Sequence, residues 1–182
     1  MTDPRISTLH VLGRPSIEHV DVDVLNGFRF PDGDGFPPSY RDFVRHAGWG
    51  RTFGLWLIYP PVRSGYADGL LGRGGVLTER LRLAYVDGQS EEFDWMVEPD
   101  GNWDLPPSLQ VFGWSENGDA LLWDTSARHA DGEFGVWESV GMNSLHRRGA
   151  DLAEALSAVR ERTASLTDAS GFDVDPLEPT LL

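Results

Sequence analysis

The chain has no cysteine and no lysine among its 182 residues. Without cysteine there is no disulfide, no thiol nucleophile and no thiolate metal site, a pattern that fits a reducing compartment. All 15 cations are arginine, which reads as a GC-rich coding habit rather than as mechanism. No run of 18 apolar residues occurs, so no membrane-spanning helix is expected. The opening MTDPRISTLH has no basic patch leading into an apolar stretch, so no secretory signal is expected and the cytoplasm is the predicted compartment.

Hydrophobic residues at 40% and charged residues at 24% are ordinary for a globular chain and argue against a disordered or fibrous one. The length suits one domain with a substantial core. The formal charge of −14 is unevenly placed. Residues 1–90 balance 10 Arg against 10 acidic groups, whereas 91–138 hold 12 acidic residues against Arg128 alone. Phosphate recognition needs clustered cations, so nucleic acid is excluded as a direct ligand and a basic protein partner is favoured.

The stretch 35–50, GFPPSYRDFVRHAGWG, predicts a punctuated helix. Pro37 and Pro38 suit its entry, Gly48 its left-handed exit, and Tyr40, Phe43, Val44 and Ala47 share one apolar face. Upstream, Ile6–Leu12 is a short strand or half a helix. Val20–Leu25 is likewise a short strand or half a helix, with Val20, Val22 and Val24 alternating with Asp21 and Asp23 at the period of a half-buried strand. Downstream, Phe53–Tyr59 reads as a buried strand stopped by Pro60-Pro61, and Ser64–Gly75 as a glycine-rich loop. Leu77–Val86 reads as a helix ending near Asp87-Gly88. Glu92–Val97 and Leu109–Trp114 are predicted strands. Asn117-Gly118 and Asp131-Gly132 are predicted hairpin turns of an antiparallel meander. A closing helix spans 149–163, with Asp151 and Glu154 as a capping box. From Ser165 onward lies an acidic tail.

Three segments in this order, PPSYRDFVRHAG, FGLWLIYP and FGWSENGDALLWD, followed by VWES and ADLAEALSAV, resemble the SUKH superfamily, the Smi/Knr-like domains. The resemblance covers residues 36–164 and leaves 1–35 as an N-terminal extension packing on the core and 165–182 as the tail. Two features depart from the family pattern: the extended VDVDVLNGFRF followed by PDGDG, and an enlarged loop at Gly65–Gly75. The resemblance implies an α+β fold, a mixed or antiparallel sheet of about five to six strands flanked by helices, without a shared catalytic centre. It implies a bacterial immunity protein that neutralises a toxin, or a regulatory scaffold like the fungal relatives. A monomer or weak homodimer is expected.

Catalytic and metal patterns are weak. Glu92 and Asp94 fall on one face of the predicted strand, so a hydrolase built on paired carboxylates is the minor alternative. Asp32 and Asp34 begin like a calcium loop, but its twelfth position is Phe43, where glutamate is needed. The five histidines show no metal-binding spacing; His129 and Asp131 are the nearest His/carboxylate pair. No nucleophile elbow or phosphate loop is present, and no cofactor is implied. Trp95 and Trp103 stand among charges, as interface anchors do. The candidate partner-binding set is therefore Glu91, Glu92, Asp94, Trp95, Glu98, Asp100, Trp103, Asp104, Asp131 and Glu133, facing a basic toxin domain.

Overall fold

The computed structural model describes residues 3–166 and 171–182, so Asp168 of the acidic tail lies outside the described residues. The fold is α+β. Five α-helices, α1 (Pro4–Ser7), α2 (Val22–Gly27), α3 (Pro38–Ala47), α4 (Gly75–Ser90) and α5 (Leu152–Thr163), accompany one antiparallel sheet. Its strands are β1 (Gly50–Thr52), β2 (Trp56–Ile58), β3 (Leu109–Ser115), β4 (Ala120–Arg128), β5 (Phe134–Ser139), β6 (Leu145–Gly149) and β7 (Val174–Pro176). The order is β6-β5-β4-β3-β2-β1-β7, a meander whose last strand returns to the far edge.

The expected stripe of α3 is buried throughout: Tyr40, Phe43, Val44 and Ala47 are each at most 1% exposed. Gly48 ends the helix at φ 65°, and a Cβ there would lie 2.4 Å from the Ser16 carbonyl oxygen, so glycine is required both by conformation and by space. Trp123 on β4 stacks on Phe112 (4.4 Å between centroids) and meets the edge of Tyr40 (4.9 Å). Cross-strand pairing puts Trp123 beside Val136 and Leu121 beside Glu138, on the face covered by α3 and α5. Ala120 pairs with Ser139, whose hydroxyl meets Tyr85 of α4 on the opposite face. Helices thus cover both faces, which is why ALLW of β4 is continuously apolar rather than alternating.

Several expectations are corrected. Of the two alternatives for Val20–Leu25 the helix forms: the Asp21 carboxylate caps the amide of Val24 and starts α2, a short-range hydrogen bond that overrides the alternating pattern. Phe53–Leu55 turn between β1 and β2, leaving only Trp56–Ile58 extended. The glycine-rich loop winds into a π-helical turn, Leu70–Gly74, that runs into α4. Glu92–Val97 is a turn and a 3-10 helix, not a strand. The tail adds β7 to the sheet: Val174 is fully buried, and residues 10–12 bond to Asp173 and Val174.

Charge also holds the layers together. Fully buried Glu138 accepts from Arg148 on β6 (2.6 Å) and from Arg162 on α5 (3.0 Å), while Arg162 also reaches Asp119 at the β3–β4 turn (2.7 Å). Arg128 bonds Asp32 (2.8 Å) with its guanidinium 4.0 Å from the Phe134 ring centre, so the PDGDG carboxylate clamps the start of α3 to the sheet.

Candidate protein-binding site

The acidic segment begins where α4 stops. The amide of Phe93 donates to the Gly88 carbonyl and that of Glu92 to the Gln89 carbonyl, a Schellman closure. The residue that must turn left-handed is Glu92, at φ 57°, where glycine is usual. A side chain in that conformation costs roughly 1–2 kcal/mol. The 3-10 helix Asp94–Met96 follows, anchored by buried Met96 and Val97. A Cβ at Gly88 would sit 2.2 Å from the Met96 sulfur, so this glycine lets the segment fold back on α4.

That closure exposes two aromatics. Phe93 is 40% and Trp95 46% exposed, and their rings stack at 5.3 Å. Glu91, Glu92, Glu98 and Asp104 lie on the same connection, exposed and in none of the salt bridges among the described residues. Asp94 accepts from the Trp103 indole at 2.7 Å, which fixes a half-buried ring that also meets Tyr85 edge-on. Asp100 has a structural duty: it accepts from the amide of Arg147 (3.0 Å), while the backbone of Glu98 and Asp100 pairs with Leu145 along the outer edge of β6.

Two of the ten candidates leave the site. Glu133 is 6% exposed, and its carboxylate accepts from the amide and the hydroxyl of Ser39, both at 2.7 Å. It supplies the cap that Pro37 cannot give α3, and burial pushes its carboxyl above the ordinary value of 4.5. Asp131 lies on the β4–β5 turn, where it accepts from the Glu133 amide and lines a separate polar cleft with Arg41 and Arg128. Of the 12 carboxylates in 91–138, Asp119, Glu133 and Glu138 are buried and Glu116 is paired with Arg51. Six of the remaining eight lie on one connection, 91–104, while Asp124 sits on β4 and Asp131 on the β4–β5 turn.

Phe93 was not singled out from the sequence, although it neighbours Trp95 in the same acidic run. Tyr85, Val86, Pro106 and Pro107, which wall a groove beside Trp103, gave no chemical signal either. Among the described residues no group of three or more His, Asp or Glu gathers as a metal site would require. Among the described residues no helix is long and apolar enough to cross a membrane. Comparison with protein-family models, curated proteins and solved structures returned no match.

Proposed function

We propose that this chain is a non-catalytic protein-binding domain, an immunity protein that occludes a basic toxin domain. The observation that carries this reading is the stacked Phe93–Trp95 pair set among unpaired carboxylates on the 91–104 connection. Exposed aromatics anchor interfaces, and surrounding charge of one sign steers and orients a partner of the other. A toxin that handles nucleic acid carries such a basic surface. The motif order shared with SUKH domains supports the same role. Paired-carboxylate hydrolysis fits less well: Glu92 and Asp94 are both exposed, and Asp94 is committed to the Trp103 indole.

Co-expression with the product of the adjacent reading frame, followed by co-purification, tests the proposal. A stable complex is expected, with an association rate that drops steeply as salt shortens the screening length toward about 8 Å. An association rate indifferent to salt would reject charge steering. Hydrolytic activity lost in both Glu92→Ala and Asp94→Ala, with folding intact, would replace binding by catalysis.

A further inference from the structure

Beside the stacked pair, the last turns of α4 face the 103–107 loop across a groove. Tyr85, Val86 and Gln89 form one wall, and Trp103, Pro106 and Pro107 the other, enclosing about 240 Å³. A small-molecule site typically holds roughly 300–1,000 Å³, so this space is scaled to a side chain.

The walls are already fixed. Tyr85 is 2% exposed, with its hydroxyl 3.4 Å from Ser139, and Trp103 is held by Asp94 on one side and Tyr85 on the other. Pro106 and Pro107 open a 3-10 turn of restricted backbone. A groove that needs no rearrangement keeps more of its contact energy as affinity. Val86, on its lip, is 63% exposed.

Charge identifies the occupant. Asp94 touches the groove through the Trp103 indole, Asp104 follows Trp103, and exposed Asp87, Glu91 and Glu92 continue from α4. The one cation in the lining, Arg82, leans on Glu79 at 3.5 Å. The rest of the lining is uncharged, which suits an apolar side chain, and the carboxylates lie on the adjoining segments of the chain. We infer that the groove seats one apolar side chain from an Arg- or Lys-rich segment of the protein partner, an anchor that sets which partner is held. This inference rests on the binding role proposed above and adds the partner's chemistry at a defined place.

A displayed random-peptide library selected on the purified full chain tests it. Enriched peptides are expected to carry one apolar residue between Arg or Lys residues. Val86→Lys, a change at an exposed position, is expected to weaken a synthetic copy of the enriched peptide by about tenfold or more, as loss of an anchor does. Glu91→Gln with Glu92→Gln weakens it less, and that part of the effect fades with salt. An unchanged thermal melt for each variant shows that folding is intact. Basic peptides that bind Val86→Lys as well as the parent overturn the groove while leaving the acidic surface standing. Enriched peptides without Arg or Lys overturn the groove proposal and the acidic reading together. A library that yields no enrichment overturns the groove alone, because co-purification tests the acidic surface independently.

Discussion

Two buried titratable side chains give opposite pH dependences. Glu133 keeps its proton to higher pH when folded, because burial opposes its charge more than the Ser39 hydrogen bonds favour it. The native state then binds more protons than the unfolded one, and stability falls as pH rises above about 4.5. His19 behaves the other way. It is 2% exposed, neither ring nitrogen has a partner, and burial lowers its affinity for a proton below the ordinary value of 6.5. The unfolded chain takes up that proton first as pH drops below 6.5, so acidification lowers stability. Urea midpoints measured across this range are expected to lose the alkaline-side decline in Glu133→Gln and the acid-side decline in His19→Phe. Identical profiles for both variants and the parent would contradict the burial of these groups.

Among elements, the ion pairs divide by environment. Arg162 ties α5 to Glu138 and Asp119, both buried, and its own side chain is 28% exposed. Arg162→Ala leaves Asp119 without an arginine and Glu138 with Arg148 alone, and is expected to cost about 3 kcal/mol in urea unfolding. Arg51 pairs with Glu116 in water, so Arg51→Ala is expected to cost less than about 1 kcal/mol. Equal losses would show that the network under α5 is worth no more than a surface pair. The same distinction explains what could be read from the residues. Helix α3, the Asn117-Gly118 hairpin and the Asp151 cap of α5 were legible because their signals are local. Strands β6 and β7 were not: LHRRG and VDP become strands only when β5 and β1 offer backbone partners. For the site, composition pointed to 91–138 as a whole, but no local rule places Glu92 left-handed at the end of α4, and that turn precedes the stacked Phe93 and Trp95.

For the molecule as a whole, β7 closes the β1 edge and joins residues 10–12 to the sheet. Removing residues 171–182 uncovers the β1 backbone and the pocket of Val174. An open strand edge is a template for other chains. The truncated protein is expected to melt at a lower temperature and to self-associate in size-exclusion chromatography. Unchanged melting and an unchanged elution volume would make the strand dispensable.

The central strands are buried on both faces, and the acidic patch and its aromatic pair come from a single connector between α4 and β3. The exposed positions of that connector can be rewritten with the layered interior left untouched, whereas Met96, Val97 and Asp100 tie it to the core.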